Sequence, residues 1–451
     1  MFSFLGIIAL LVLCVASFVQ PIWPVVAYTV LGQIETPQMM DQLSSNTPIN
    51  RSRLIYIVIL AFTVIYYKLW KSFQRGELSQ RHTFLVCCAT ALTGWMCLSF
   101  WMHDDSISKA ILFIMGSGPL GVVFSIAFRR TPSARMALYL VVLIHIGLSI
   151  MIYAVPGGRW TDFAYKTINA SGAEEVGGVT ASNQDEIGYS SKGVRRGSAQ
   201  FENSITLGFY GALAVLAGIY LGLNRKGLLW ILLSIISFLF GVWALYITSP
   251  RAIICSTVIG VFILISGVKR KTISGRFLIS GVILAFIYGV WWVFDNPASN
   301  IAVVIRDHFT TMQDDNGYRV NAAIESVDVL FNYPFFGVGD SAKMVDLVGG
   351  APHQSFYFVS VIFGLPAGIC TLILTCIAAI ALFMPPPVWM KEGLGNERRM
   401  AKAVGVITLA MALTNNMSAG FIGWVCLGYA CLPWVEAGGF QEGSFLKFPY
   451  S

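Results

Sequence analysis

Residues 204–267 read SITLGFYGALAVLAGIYLGLNRKGLLWILLSIISFLFGVWALYITSPRAIICSTVIGVFILISG. Three apolar runs, near 204–223, 227–247 and 250–267, follow one another with almost nothing between them. Each is close to the roughly 20 apolar residues that a helix needs to cross a bilayer. The first break is basic, Arg225-Lys226, and the second is short and polar, Thr248-Ser249-Pro250, with Arg251 directly after it. The runs are continuous rather than alternating, which excludes the dyad pattern of a membrane β-barrel. An all-α integral membrane protein is therefore expected.

The rest of the chain repeats the pattern. Of its 451 residues 56% are hydrophobic and 12% charged, against roughly 25% charge in ordinary soluble domains. So little polar surface cannot cover a water-soluble globule of this size. Further apolar runs lie near 2–33, 52–70, 83–101, 107–128, 134–155, 277–294, 354–383, 401–417 and 419–436, and together with the first three they predict about twelve transmembrane helices. The run 2–33 contains Pro21 and Pro24 and reads as one broken helix or two short ones. It lacks a charged leader and a small-residue cleavage site, so it is expected to be a retained helix. The nine cysteines all fall in apolar runs, with no C-x-x-C spacing, and read as small apolar fillers. No repeat of fixed period is visible, which argues against paired inverted repeats.

Orientation comes from the short loops. Lys71, Arg75 and Arg81, then Arg129, Arg130 and Arg135, Arg225 and Lys226, Lys269 to Arg276, and Lys391 to Lys402 lie in every second loop. These loops are assigned to the cytoplasm. The net charge of +7 is thus explained without nucleic acid as a partner. With twelve spans both termini would also be cytoplasmic. Two long polar segments, 156–203 and 295–353, then face the other side. The second contains a helix-like stretch after Tyr318, with Ala322, Ala323, Val327 and Leu330 at helical spacing. The chain divides into 1–155 (helices), 156–203 (outer loop), 204–294 (central helices with Arg251), 295–353 (large outer loop) and 354–451 (C-terminal helices and tail).

Chemistry is concentrated outside the apolar runs. His145 is the main ionisable residue within one, and a neutral histidine bonded to a neighbouring helix is the ordinary account of it. Four clusters stand on the outer side. Arg251 opens an apolar helix where positive residues are disfavoured; it suits bidentate contact with phosphate oxygens, and equally a snorkelling helix end. Arg319 follows Gly317-Tyr318 in an acidic loop and precedes Asn332-Tyr333-Pro334 and Gly337-Val338-Gly339-Asp340. Its neighbours Asp314-Asp315 have no third ligand at metal spacing and read as a solvated turn. His353-Gln354-Ser355-Phe356-Tyr357, followed by Gly364-Leu365-Pro366-Ala367-Gly368, stands where the large loop re-enters the membrane. A histidine there can serve as a general base. The basic pair Arg195-Arg196, ahead of Gly197 to Asn203, precedes the first central helix.

In this order the clusters resemble the O-antigen ligase and Wzy-type polymerase family. The matching stretches are Arg196 to Asn203, Ser249-Pro250-Arg251, Arg319 through Pro334 to Gly339, and His353-Gln354 with Phe356-Tyr357. They cover about 195–385. Gln354 stands where the family has asparagine, and its amide still donates and accepts. The resemblance implies a multi-pass enzyme of the bacterial inner membrane, GT-C-like, with its site facing the periplasm. It implies an inverting, metal-independent glycosyl transfer without cofactor. The donor would be a glycan on undecaprenyl diphosphate, and the acceptor lipid A-core or a growing glycan. His353 would be the general base, and Arg251, Arg319, Arg196, Gln354 and Tyr357 would bind substrate. Membrane lipids and a chain-length regulator are the other partners implied. The alternatives are a protein oligosaccharyltransferase and a transporter or flippase of lipid-linked glycans.

Overall fold

The structure, a computed structural model, describes residues 2–32, 51–104, 118–129, 132–154, 204–224, 227–248, 250–266, 312–339, 341–348, 354–384, 392–414 and 420–436. All regular structure among them is helical. Five of the described helical segments are long and apolar enough to cross a membrane: Tyr56–Gln74, Gln80–His103, Ile205–Asn224, Leu228–Thr248 and Leu365–Phe383. Met136–Met151, Arg251–Ile265 and Gly420–Val435 are apolar but shorter.

The N-terminal run forms two helices, α1 (Phe2–Val19) and α2 (Ile22–Gly32). The break falls at Gln20-Pro21, because a proline cannot donate the helical bond and the residue before it avoids the α conformation. Next come α3 (Arg51–Gln74), α4 (Gln80–Asp104), α5 (Leu120–Ala127) and α6 (Pro132–Ala154). Within the expected run 107–128 the described helix is only α5, and all eight of its residues are buried. The central helices are α7 (Ser204–Asn224), α8 (Leu228–Thr248) and α9 (Arg251–Ile265). The expected span 277–294 lies outside the described residues.

The C-terminal part holds α10 (Met312–Asn332), α11 (Ser341–Val348), α12 (Ser355–Phe363), α13 (Leu365–Phe383), α14 (Glu392–Thr414) and α15 (Gly420–Glu436). Three expectations need correction here. The run 354–383 is not one span but two helices, α12 and α13, that fold back on each other. Their joint, Gly364, has φ +88°, a region open to glycine alone at low cost. A Cβ on Gly368 would meet Ser360 Oγ and, at 3.3 Å, the Phe356 ring. Such proximity across eight to twelve residues requires a hairpin. Asp314-Asp315 do not form a turn; they lie in the first turn of α10, where the helix dipole favours acidic residues. The stripe of α10 is also shifted: Ala322, Ser326 and Val329 are buried, whereas Val327 is exposed.

Two cores organise the bundle. One is built from α2 to α5, α10 to α13 and α15, joined by Ala137 of α6 and by Leu409 and Ala412 of α14. In it Ser125 Oγ donates to the Val425 carbonyl at 2.6 Å and Cys431 Sγ to that of Leu374 at 3.6 Å. At the basic-loop end, Arg81 donates to the Trp434 carbonyl at 2.9 Å and lies over the same residue's ring. The other core surrounds α7, which packs against α6, α8, α9 and α14. All nine cysteines lie in described helices as free thiols. His145 is fully buried in the second core. Its ring stands edge-on to Tyr210 at 5.4 Å and beside the Thr29 backbone. The ring is thus enclosed between α6 and α7 as a core residue.

Candidate functional site

The segment 333–339 follows α10 and lies against the joint of the α12–α13 hairpin. It is held there by backbone bonds. The Val338 and Gly339 amides donate to the Val361 and Ile362 carbonyls at 2.8 and 2.9 Å, and the Leu365 amide donates to the Pro334 carbonyl at 2.8 Å. The carbonyls of Val361 and Ile362 belong to the last turn of α12, which has no helical donors of its own. The 333–339 segment thus completes the helix end. This explains the glycines of the Pro334-x-x-Gly-x-Gly stretch. Gly337 and Gly339 have φ +64° and +75°. A Cβ at Gly337 would lie 2.5 Å from the Ile362 carbonyl, and one at Gly364 would strike the Phe335 carbonyl.

Gln354 and Tyr357 stand at the opposite end of α12. Gln354 is extended, with φ −95° and ψ 131°, and is exposed. Its carbonyl accepts from the Phe358 amide at 3.0 Å. Tyr357 is half-buried, its ring edge-on to Phe356 at 5.3 Å. Position 319 lies on α10, in register with the buried stripe Ala322, Ser326 and Val329. Helix α10 packs against both α11 and α12. The 333–339 segment thus sits at one end of α12 and the 354–357 segment at the other, with α10, which carries position 319, packed on the same short helix.

Arg251 belongs to another neighbourhood. It opens α9 after the extended Pro250 and is half-buried. The start of α9 is seated on α7, where the Pro250 ring and Thr248 Oγ1 occupy the space in which Gly208 would carry a Cβ. The helix then runs along α14, with Gly260 facing the Ala403 carbonyl. Helix α14 also touches α12, so α14 is the element common to both neighbourhoods. His353, Arg196 and the side chain of Arg319 lie outside the described residues.

Three residues had no place in the sequence-based site. Trp95, Ser99 and His103, on the C-terminal half of α4, all meet the 335–339 segment. Their four-residue spacing was available in the sequence, but nothing local marked that face of α4 as different from the lipid-facing one. Among the described residues, no three metal-ligating side chains stand together. Neither protein-family models nor functionally characterised proteins match the chain.

Proposed function

We propose that this membrane protein transfers a glycan from a polyprenyl diphosphate at the outer face of the membrane. The acceptor is a lipid A-core or another lipid-linked glycan, making the protein a ligase or a polymerase. What supports the proposal is that the motifs share one packed unit: α10, which carries position 319, packs on α12, whose two ends bear the Pro334–Gly339 stretch and Gln354-Tyr357, and His353 is covalently next to Gln354.

The chemistry asks for two things. A departing diphosphate develops negative charge, and preorganised guanidinium groups at a poorly hydrated interface stabilise it. The attacking sugar hydroxyl must lose a proton, and a histidine near neutral pKa can accept it. In the proposed division of labour, Arg251 and Arg319 hold the diphosphate, His353 takes the proton, and Gln354 and Tyr357 orient the sugar. Arg196 binds further along the donor. Direct displacement inverts the anomeric centre. Twelve spans, a GT-C-like architecture and a periplasmic site in a bacterial inner membrane belong to the same proposal.

The deciding experiment incubates purified protein with lipid-linked glycan, with and without lipid A-core. Product only with lipid A-core identifies a ligase, and lengthened lipid-linked glycan identifies a polymerase. No product in either case, with glycan moved across proteoliposomes instead, identifies a transporter. His353→Ala should lower the rate roughly 10²–10⁴-fold at unchanged protein level. Arg251→Lys keeps the charge but loses the fork and should still be impaired. Arg306→Ala is the control from the same loop and should retain activity. EDTA should leave the rate unchanged; a loss restored by a divalent cation would overturn the metal-independent mechanism.

A further inference from the structure

Trp95, Ser99 and His103 recur every four residues and so share one face of α4. Each meets the 335–339 segment at a different residue. The Trp95 indole N–H lies 3.1 Å from the Phe335 carbonyl and 3.0 Å from the Phe363 carbonyl. Its ring stacks on Phe336, with centroids 5.3 Å apart and planes 6° from parallel. Ser99 Oγ donates to the Phe336 carbonyl at 2.6 Å. The His103 side chain fills the space in which Gly339 would carry a Cβ, and its Nδ1 donates to the Ser99 carbonyl at 2.9 Å.

The two carbonyls that share the Trp95 donor have different origins. Phe335 lies three residues past the end of α10, and Phe363 is the last residue of α12. One leads back to position 319 and the other to the 354–357 segment. The Phe363 carbonyl falls in the last turn of α12, beyond the reach of an intrahelical donor. The indole supplies one from a third element, α4, which is a long regular helix and therefore a rigid support.

We infer that Trp95 is a positioning residue: its shared N–H and its stack on Phe336 lock the α10 exit to the α12–α13 joint and so set where the 354–357 segment stands. The consequence for rate rests on the proposed glycosyl transfer; the lock itself does not. Trp95 acts through the backbone of Phe335 and Phe363. Misplacement of a reacting group by about 1 Å costs on the order of 10²-fold in rate.

Trp95→Phe tests this, because it keeps an aromatic ring for the stack and removes the N–H along with the five-membered ring that bears it. Hydrogen–deuterium exchange of the full chain in detergent reads the lock directly. Peptides covering 335–339 and 361–365 should both exchange at least about ten times faster in Trp95→Phe, since backbone protection reports the free energy of local opening. Trp70→Phe, at an exposed position on α3, should change neither. With lipid-linked donor, kcat should fall roughly 10- to 100-fold, while KM stays within about two-fold and the thermal midpoint within a few degrees. Unchanged exchange in either segment overturns the lock. Loosening of both with an unchanged kcat overturns the positioning role. If the wild-type protein transfers no glycan, the proposed function fails while the exchange result still decides the lock. Should Trp95→Phe not accumulate, 3-benzothienylalanine incorporated at position 95 keeps the bicyclic ring and removes the N–H; both segments should still loosen, and unchanged exchange in either overturns the lock.

Discussion

Helices α7 and α8 are neighbours in sequence, antiparallel partners in space and similar in length, yet 78% of the apolar window of α7 is buried in the protein against 17% for α8. The more apolar of the two is α8. Hydrophobicity therefore marks both as membrane helices and says nothing about which is the hub. In a bilayer the lipid tails are as apolar as leucine, so burial between helices is decided by close approach and not by hydrophobicity. The hub helix α7 carries that signature. A Cβ at Gly211 would lie 2.8 Å from that of Ala244 and one at Gly218 2.8 Å from the Ser234 carbonyl, closer than real Cβ atoms stand, while Gly222 faces the Ser234 hydroxyl. Ser237 and Ser234 of α8 donate to the Ala214 and Gly218 carbonyls at 2.7 and 2.6 Å. The opposite face of α8, with Leu228, Leu232, Ile235 and Leu239, is exposed.

The contrast can be broken most severely at Gly211. A leucine there must push α8 away along its length. Overpacking of a tight core costs about 1–3 kcal/mol and occasionally more, and Gly211→Leu should reach the upper end. Heating detergent-solubilised protein and measuring the monodisperse fraction would reveal it; wild-type heat resistance would mean that α7 and α8 are not packed backbone to backbone.

Gly208→Val is expected to act more selectively. The added methyl groups displace Pro250 and with it the start of α9, so stability should fall by about 1–2 kcal/mol. The proposed transfer should suffer more than stability does, because Arg251 moves. Rate and thermal midpoint measured on the same preparation separate the two effects. Loss of stability with a normal rate per folded molecule would detach Arg251 from the site.

Smaller effects sharpen the comparison. Ser237→Ala removes one interhelical bond, worth about 0.6 kcal/mol in membrane proteins. Leu239→Ala, on the exposed face of α8, should stay within about 0.5 kcal/mol. A double-mutant cycle of Ser237→Ala with Leu239→Ala should be additive. A cost above about 2 kcal/mol for Leu239→Ala would mean that something other than lipid covers that face.

The candidate site has the same duality as the two helices. Its glycines and its proline stood out in the sequence because they are rare residue types at fixed spacing. Their structural role did not, since it depends on the carbonyls of Val361 and Ile362 more than twenty residues later. The hairpin at Gly364 was hidden inside an apolar run for a similar reason. Gly364, Pro366 and Gly368 punctuate that run, but nothing local says that the chain reverses there; the joint is fixed by its contacts with Pro334 and Phe335.

Sequence by itself determined the solvent of this protein and the grain of its fold. Apolar runs of span length set the helices, because a backbone in lipid must satisfy its own hydrogen bonds, and alternating basic loops set the expected sidedness. It also brought Arg251 to a helix start, through Pro250, which is local chemistry. Only the tertiary structure decided that α7 and not α8 is the hub, that 354–383 is a hairpin, and that Trp95 of α4 joins two distant carbonyls at its joint. Those outcomes rest on close packing and on single hydrogen bonds between segments far apart in the chain. Spacing within one helix can mark a face, but not the distant segment that the face meets.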